Sequence, residues 1–373
     1  MRITSQRRQD RGIAMIIVMM VILVLSVLAG GFAYSMKVET RLARNTAWEA
    51  DMEWLGRSGV ELGKYCLAMH LATPPPESMY AGLNQLWAGG PPNPTNEILA
   101  AINMKDVQLG PGKFTVTIQD LERKFSLASI TEANPGVLER ALLMVGADSS
   151  DIPTIIDSYF DWVDPDHNTH LAGAESPFYL AMAAPYYAKN GPVDDIREIM
   201  LIKGMTEQIF WGTTRVGPKL EDQRLKRPLS PYLESLKNQN QGMMSSSGVG
   251  LYDLFVPFHG AGQAVNINTA SREVLEVAGM DPQMATDIIS ARSGPDGQSG
   301  TDDDIPFLSL NDALGAIGAD LTMAAGMQRL FTVQSRVFEI TVDAEIGNYK
   351  RRFVALVDRR SRADVPTLSF TWK

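Results

Sequence analysis

A stretch near the start of the chain constrains everything that follows it. From Ile13 to Met36 the sequence carries no charged residue. A helix rises about 1.5 Å per residue, so this stretch reaches about 36 Å, whereas the hydrocarbon core of a bilayer is about 30 Å thick. The preceding residues 1–12 contain four arginines. The sequence therefore predicts one membrane-spanning helix at 13–36, with its N-terminal side in the cytoplasm and the rest of the chain on the other side.

Charge and cysteine content limit which partners the chain can have and what can stabilise its fold. The 373 residues include 34 basic and 43 acidic side chains, a net charge of -9. A nucleic acid or an anionic lipid surface is therefore a disfavoured partner. The part after the membrane helix is long enough for about two domains. Cys66 is the only cysteine, so no disulfide can form within the chain, and stability must come from core packing, a metal or partners.

The membrane helix is expected to continue into a charged segment that ends near His70. No proline interrupts residues 37–70, and the three consecutive prolines of Thr73–Pro76 remove the donors that a helix needs. Apolar and small residues repeat along this segment at alternating spacings of four and three, as on one face of a helix. They are Trp48, Met52, Leu55, Gly59, Leu62, Cys66 and Met69.

Two surfaces are candidates for covering this face. Its C-terminal half suits packing on the protein's own sheet, as in any helix packed on a globular domain. Its N-terminal half has charged neighbours and no obvious cover within the chain, which favours contact with helices of other chains. The residues predicted to bind a partner are Ile17, Trp48, Met52 and Leu55.

Alternating apolar and polar residues predict strands at both ends of the remaining sequence. Gly112–Gln119 is a clear strand, and Phe125–Ile130 is expected to be its hairpin partner. Further strands are predicted at Leu330–Val333, Val337–Ala344 and Arg352–Asp358. Residues 131–328 between them are mostly helical by pattern. The predicted fold class is α+β: a long N-terminal helix packed on an antiparallel sheet, with a large helical domain inserted into that sheet.

Two short stretches inside the helical block resemble each other. Each ends an apolar helix at a glycine and restarts at a residue able to cap a helix, Thr206 in 198–206 and Asp281 in 273–281. Each is typical of a helix-hairpin-helix unit, and Asn266–Ala270 before the second is a phrase shared by such domains in several families. Hairpins that bind DNA usually carry a second glycine, where this chain has Thr206 or Asp281. An aspartate repels phosphate, so protein interaction is the favoured interpretation and no nucleic acid is expected.

The densest group of possible metal ligands lies between residues 161 and 175. It consists of Asp161, Asp164, Asp166, His167, Asn168, His170 and Glu175. Hard carboxylate oxygens in a loop suit calcium, and we predict a calcium site at Asp161, Asp164, Asp166 and Glu175. The two histidines with one carboxylate offer a zinc site as an alternative. A third interpretation is that these residues only cap helices or are solvated in a loop.

A second acidic loop, Ser293–Asp304, offers a weaker calcium candidate. Its possible ligands are Asp296, Asp302, Asp303 and Asp304. The glutamate that closes an EF-hand loop at its twelfth position is absent, and a solvated loop is the competing interpretation.

Recognisable catalytic motifs are lacking. The sequence contains no Gly-x-Ser-x-Gly turn and no His-Glu-x-x-His helix, and Cys66 has no histidine adjacent in sequence. The glycine-rich loops at 248–250 and 260–262 lack the lysine of a phosphate-binding loop. We therefore expect an interaction protein rather than an enzyme.

The junction before the membrane helix gives the first sign of a family. Arg11, Gly12 and Ile13 resemble a prepilin signal, in which a peptidase cuts after the glycine, retains the apolar helix and methylates the new N-terminus. The processing residues implied are Gly12 and Ile13. Major pilins carry a glutamate at the fifth mature position, where this chain has Ile17. Its absence resembles the K-type minor pseudopilins of type II secretion systems.

An ordered set of motifs extends this resemblance over nearly the whole chain. After the junction come Asp161–Asp166, Gly173–Glu175, Tyr186, Lys203–Met205 and Asn266–Ala270, in the order found in K-type minor pseudopilins. The family has a pilin-like helix and sheet with a large helical insertion. The domains implied are a leader at 1–12, a membrane helix at 13–36, a pilin-like part at 37–130, an inserted helical domain at 131–328 and returning strands at 329–373. The hairpin units fall at about 131–215 and 265–328.

The resemblance also implies a function and partners. Members of the family sit at the tip of the pseudopilus, where they start its assembly for the export of folded proteins across the outer membrane. The implied partners are the I, J and H types of minor pseudopilin, the major pseudopilin, the prepilin peptidase and the bacterial inner membrane, and calcium is the implied metal. A minor pilin of a type IV-like fibre is the alternative, followed by an anchored DNA-uptake protein.

Overall fold

The structure is a computed structural model that describes residues 9–91, 97–212, 248–257, 264–318 and 321–372. The predicted leader therefore lies largely outside the described residues, as does the glycine-rich loop at 260–262. The α-helices are α1 (Gln9–Leu71), α2 (Glu97–Ala100), α3 (Gly136–Met144), α4 (Ile152–Val163), α5 (Ser176–Leu180), α6 (Glu207–Trp211), α7 (Leu251–Leu254), α8 (Arg272–Val277), α9 (Pro282–Arg292), α10 (Leu310–Ala316) and α11 (Leu321–Leu330). The strands are β1 (Val107–Leu109), β2 (Gly112–Asp120), β3 (Phe125–Ser126), β4 (Phe255–Val256), β5 (Val265–Asn266), β6 (Phe331–Thr332), β7 (Val337–Ile346), β8 (Tyr349–Asp358) and β9 (Thr367–Trp372).

Helix α1 is a single element of 63 residues and ends at Leu71, just before the prolines, as predicted. Among the described residues it is the one helix that is long and apolar enough to cross a membrane. Its most apolar window has a mean hydropathy of 2.8 and no buried residue. The second part of the helix behaves differently, because residues from Met52 onward pack into a core. One continuous helix thus has an uncovered apolar half and a half that belongs to a folded domain.

That folded domain is a five-stranded sheet in the order β1-β2-β7-β8-β9, with every neighbouring pair antiparallel. The alternation predicted for β2 is confirmed, since Phe114, Val116 and Ile118 are buried on the face toward α1. Strand β9 was missing from the sequence-based prediction. Its six residues are half-buried at most and show little contrast between the two faces.

Two predicted strand pairings are wrong. Phe125 and Ser126 form no hairpin with β2, and pair instead in parallel with Phe255 and Val256 of β4. Strand β6 does not join the large sheet either, because it pairs in parallel with β5. Both short ladders lie within the insertion, where Phe125, Phe255 and Phe331 belong to its hydrophobic core. Local alternation predicts that a segment is extended, but its partner depends on which distant segment the fold brings beside it.

The insertion lies between β2 and β7 and has its own hydrophobic core, separate from the core between α1 and the sheet. Buried hydrogen bonds fasten the two parts together where the chain enters and leaves the insertion. The Oδ2 atom of Asp120, at the end of β2, accepts bonds from Asn266, Thr269 and Ser335. Asn266 also donates to the carbonyl oxygen of Ala81, in the loop after α1. The insertion is therefore anchored to the sheet and to the loop after the long helix at one buried point.

Candidate metal centre and anchoring helix

The first acidic cluster forms where helix α4 ends and helix α5 begins. Asp161 lies in the last turn of α4, and Asp164 follows it with extended backbone, because Pro165 disfavours the helical conformation at the residue before it. Glu175 caps α5 and its side chain accepts the backbone N–H of Ser176 at 3.1 Å. The loop between the helices thus returns the start of α5 to the end of α4.

Three of the four predicted calcium ligands converge. Asp164, Asp166 and Glu175 can each offer one carboxylate oxygen such that all three oxygens lie within 4.8 Å of one another. Asp161 is a near neighbour, since its charge is one of the causes that raise the pKa of Asp164. The sequence spacing could not show this convergence, because Glu175 stands on a different helix from Asp161 and Asp164.

Asp161 is fully buried and holds the loop closed. Its Oδ1 atom accepts the backbone N–H of His170 at 2.9 Å and lies 2.5 Å from Nδ1 of the His170 ring. This bond is the main cause that raises the pKa of His170. Gly173 packs directly on the other carboxylate oxygen, and a Cβ atom there would clash with it. Asp161 therefore acts as a fixed support for the loop that carries the other acidic residues.

Several oxygens in this cluster are buried without a hydrogen-bond donor among the described residues. They are Oδ2 of Asp161, Oδ1 of Asp164 and Oε1 of Glu175. Burial, followed by the charges of Asp166, Asp161 and Glu175, raises the pKa of Asp164. Buried anionic oxygens without donors are costly unless a cation compensates them. The donor set of hard carboxylate oxygens fits calcium.

The zinc alternative is less well matched by the geometry. Glu132, Asp164 and His170 form a second group of three possible ligands, with the Nε2 atom of His170 3.8 Å from the Glu132 carboxylate. It contains one imidazole. His167 lies elsewhere, with its Nδ1 atom 2.7 Å from the side-chain amide nitrogen of Asn190. The two histidines proposed as a zinc pair are therefore not part of one ligand group among the described residues.

The second acidic loop does not gather its carboxylates. Within the described residues, no three of Asp296, Asp302, Asp303 and Asp304 form a ligand group of the kind found at the first cluster. Their oxygens serve the turn instead. Asp303 accepts the backbone N–H of Asp296 at 2.9 Å, and Asp304 accepts that of Gly300 at 2.7 Å. The carboxylates of Asp303 and Asp304 thus stabilise the turns of this loop by accepting backbone hydrogen bonds.

Three residues near the first cluster were not predicted from the sequence. Glu132 reaches it from before α3, and Asn190 has a buried side-chain oxygen without a donor and a backbone φ of 49°. Nothing in their local sequence marks either one. Asp157 accepts the backbone N–H of Ala172 at 2.9 Å and could have been found, because it precedes Asp161 by one helical turn.

The predicted partner-binding residues on α1 divide into two groups. Ile17 is 56% exposed, and Trp48 is half-buried at the edge of the sheet core. Met52 and Leu55 are 0% and 2% exposed and belong to the core with the chain's own sheet. The partner contact expected for these two residues is therefore corrected, because the sheet already covers their side chains. Gly12 and Ile13 fall within α1.

The two hairpin-like stretches have the turn chemistry that was predicted. Gly204 and Gly279 adopt φ values of 85° and 111°, and Thr206 and Asp281 cap the helices that follow. The element before Gly204 is a 3₁₀ helix, Ile196–Leu201, rather than an α-helix. The phrase Asn266–Ala270 is buried, and its polar side chains bond to the chain itself. These side chains hold the junction between insertion and sheet.

Comparison with known proteins adds a family to this geometry. The model of the family described as type II secretion system protein K matches residues 118–212, the start of the insertion. Type II secretion system protein K of Pseudomonas aeruginosa is 23% identical over 363 residues, covering 95% of this chain and 90% of the relative. The chain is similar to type II secretion system protein K. The resemblance seen in the ordered motifs is thereby confirmed.

Other matches to the protein K family cover less of their relatives. Type II secretion system protein K of Klebsiella pneumoniae is 25% identical over 215 residues, 54% of this chain and 60% of the relative. A putative protein K of Escherichia coli K12 is 24% identical over the same shares. The chain thus spans about 60% of the length of these two curated relatives.

A solved structure supports the fold assignment. It is the crystal structure of the GspK-GspI-GspJ complex from the type 2 secretion system of enterotoxigenic Escherichia coli. One of its chains matches with a TM-score of 0.60 and 18% identity, over 89% of this chain and 99% of that one. A mixed fold of an N-terminal apolar helix, further helices and an antiparallel sheet is therefore shared with a secretion-system protein.

Proposed function

We propose that this chain is a minor pseudopilin at the tip of a type II secretion pseudopilus, where it starts assembly of the fibre and helps to export folded proteins across the outer membrane. In this proposal α1 anchors the chain once in the bacterial inner membrane. The N-terminal side of α1 is cytoplasmic, and the sheet and the insertion are periplasmic. The relation to protein K and the shared fold support it.

The observation that carries the proposal is the division of α1 into two halves. The residues from Ala14 to Ala43 are exposed along the whole helix, whereas Met52, Leu55 and Cys66 are buried under the sheet. The apolar half of α1 is not covered by the chain's own domain. It therefore needs either lipid or other helices to keep its side chains from water. A subunit that is first held in a membrane and then packed into a bundle of similar helices satisfies both needs.

Ile17 supports a position at the tip. In the major pilins, the fifth mature residue is a glutamate that pairs with the amino terminus of a neighbouring subunit. Ile17 has no carboxylate to offer, and it is exposed in the apolar half of α1. A subunit without this acid cannot pair with the amino terminus of a subunit above it. This suits the first subunit of a fibre, which has no subunit above it.

The proposed partners are other minor pseudopilins of the I, J and H types, the major pseudopilin and the prepilin peptidase. Support for the first group comes from the solved relative, which is in complex with GspI and GspJ. The inserted domain, with its two hairpin-like turns, is proposed to serve protein interaction. Nucleic acid is not a proposed partner.

We further propose calcium as the metal of the cluster at Asp161, Asp164, Asp166 and Glu175. The support is the set of three converging carboxylates and the three buried oxygens without donors. Bound calcium would neutralise the mutual repulsion of these carboxylates. Asp161 would orient the loop through His170, and Glu175 would tie the site to α5.

Two measurements test the proposed function. Mass spectrometry of the mature chain should find N-methylated Ile13 as the first residue, and a Gly12→Val variant should retain the leader. Co-expression of the full chain with I-type and J-type subunits should yield a complex that survives purification in detergent. A mature N-terminus at another position would remove the pilin-like processing. Assembly with subunits of a type IV pilus and none with the I and J types would favour the alternative fibre.

A further inference from the structure

The two edges of the large sheet differ in how well they are protected. Strand β1 has three residues and lies between the ion-paired Asp106 and the turn at Gly110. Strand β9 has six residues, and Thr367–Trp372 contains neither charge nor proline. Natural sheets usually blunt an edge with charges, proline or a very short strand, because a free edge can pair with another chain. Edge β1 is very short and is flanked by an ion-paired acid, whereas β9 is twice as long and has Pro366 just before it and a β-bulge near its start.

The regular part of β9 is Ser369–Trp372, which pairs in register with Leu356–Phe353 of β8. The bulge places Leu368 outside this register. Within the described part of the chain, β9 has no ladder on its other side, so no strand pairs with its outward N–H and C=O groups. These groups are strong donors and acceptors that a further strand can satisfy.

The side chains of β9 define which strand would fit. Phe370 stacks on Phe353 with ring centroids 5.6 Å apart, and the Arg57 guanidinium lies 5.2 Å from the Phe370 ring centroid. Trp372 and Leu368 remain 63% and 53% exposed. Ser369 and Thr371 point to the opposite face, where they line a cleft beside the insertion. A matching strand would therefore place apolar residues beside Trp372 and polar residues beside Thr371.

The direction of β9 relative to α1 limits the source of that strand. Gly59 and Gly63 of α1 contact Val342 and Ile340 of β7, so α1 runs antiparallel to β7. Since alternate strands of an antiparallel sheet share a direction, the two edge strands β1 and β9 are both antiparallel to α1. Any subunit of this architecture that is anchored in the same membrane presents its edges in that same direction. An added edge strand from such a subunit must pair with β9 in parallel.

A second copy of this chain is a poor occupant, because its β1 edge has only three residues and its β9 edge cannot pair with β9 in a suitable orientation. Antiparallel pairing of two β9 strands would reverse one α1 helix, so the two helices could not enter one membrane from the same side. Parallel pairing of two β9 strands would set Trp372 of one copy beside the polar Thr371 face of the other. A free peptide is equally unsuitable, because four residues span about 13 Å, far too short to bury the area of about 1,000 Å² that a stable interface requires.

We propose that β9 is a docking edge for an edge strand of a different membrane-anchored subunit, which extends the sheet by parallel pairing along Ser369–Trp372. This inference rests on the proposed function, because the anchored partner is another pseudopilin. It adds to that function the surface used and the chemistry recognised. The partner strand alternates apolar and polar residues and carries no charge toward Trp372.

Hydrogen exchange tests the proposal without any substitution. The full chain in detergent is compared alone and in complex with purified I-type or J-type subunit. Amides of β9 should exchange at least tenfold more slowly in the complex, while those of β1 keep their rate. A complex that forms with unchanged exchange at β9 overturns the docking edge but leaves the proposed function intact. If no complex forms, both the docking edge and the proposed function are contradicted. Protection of β9 that grows with concentration of the chain alone indicates self-pairing and also overturns the proposal.

A pair of matched variants supplies an independent test. Trp372→Lys places a charge on the proposed edge, and Leu109→Lys places one on β1, where the native side chain is 46% exposed. The first should raise the Kd for the partner at least tenfold, and the second should leave it unchanged. Equal effects of both variants would contradict a specific role for β9.

Discussion

At the scale of single residues, the acidic cluster shows how position decides what a carboxylate does. Asp161 is buried and bonded to His170, so it supports the loop. Asp164 is less deeply buried than Asp161, yet burial and three neighbouring acids raise its pKa. Asp303 lies in the exposed second loop, where hydrogen bonds from Thr301 and Asp296 lower its pKa. Similar side chains therefore have opposite electrostatic tendencies, and the first cluster is the one that a cation would stabilise.

The first prediction concerns Asp164→Asn and calcium. In chelator, the variant should be at least as stable as the wild type, because it removes one of the mutually repelling carboxylates. At a calcium concentration of a hundred times Kd, the wild type should gain about 2.7 kcal/mol, and the variant much less. Thermal unfolding with calcium and with chelator measures both effects.

Asp302→Asn is the matched control for this measurement, since Asp302 belongs to the second acidic loop. Its response to calcium should equal that of the wild type. An unfolding midpoint of the wild type that does not move with calcium would remove calcium from the first cluster.

At the scale of elements, α1 approaches the sheet closely because of three glycines on one face. Cβ atoms at Gly56, Gly59 and Gly63 would collide with Phe353, Val342 and Ile340 respectively. Glycine is costly within a helix, by about 1 kcal/mol relative to alanine. Here the cost is offset by burial of large side chains on β7 and β8 against the helix backbone. The seam read from the sequence is thus a packing surface for the chain's own sheet.

The second prediction is that Gly59→Ala destabilises the sheet domain. The added methyl group overlaps both branches of Val342, and overpacking of this kind costs about 1–3 kcal/mol. Denaturant unfolding of the full chain in detergent, followed by circular dichroism, measures the change. Gly315→Ala in α10 is the control, because nothing lies within 4 Å of a Cβ atom there. It should stabilise by up to about 1 kcal/mol, and equal destabilisation by both variants would refute the close approach of α1.

At the scale of the whole molecule, the junction of insertion and sheet is a buried polar region. Glu122 accepts the backbone N–H of Arg336 at 2.9 Å, and its other oxygen is buried without a donor. Burial, with the charge of Asp120 as the second cause, raises the pKa of Glu122 to about 8. Arg359 is also buried there and donates to the carbonyl oxygen of Ser335 at 2.7 Å. The two parts of the chain are therefore joined by groups whose charge state affects stability.

The third prediction is a loss of stability between about pH 6.5 and pH 8. Glu122 is protonated in the folded state up to about pH 8, whereas in the unfolded chain it ionises near its ordinary pKa of 4.5. The folded state binds the extra proton, so this contribution is complete below pH 4.5 and declines as the pH rises toward 8. Burial lowers the pKa of His70 to about 4, so His70 acts in the opposite sense only below its ordinary pKa of 6.5.

Glu122→Gln should remove about 2 kcal/mol of this decline over the 1.5 pH units, at about 1.4 kcal/mol per unit. His170, whose pKa is also raised, keeps its own contribution in the variant. Free energies of unfolding at several pH values between 6.5 and 8 measure it. Glu139→Gln, at an exposed position of α3, should keep the slope of the wild type. The same slope in all three proteins would show that Glu122 is already ionised in the folded state.

Features that depend on neighbours in sequence could be predicted from the sequence. The length of α1, its end at the prolines, the alternation of β2 and the caps at Thr206 and Asp281 each follow from a few adjacent residues. These features are local: the backbone obeys the steric and hydrogen-bonding limits of its own residues wherever the chain is placed.

Contacts between distant segments were decided by the tertiary structure. Whether Met52 meets a partner or the chain's own sheet, and whether Glu175 joins Asp164, depends on which surfaces fold together. The pairing of β3 with β4 likewise joins segments 130 residues apart, from Phe125 to Phe255. A periodic pattern determines that a side chain will be covered or that a backbone will be extended. What covers or pairs with it is chosen by the packing of the complete chain, because many distant segments offer the same local chemistry.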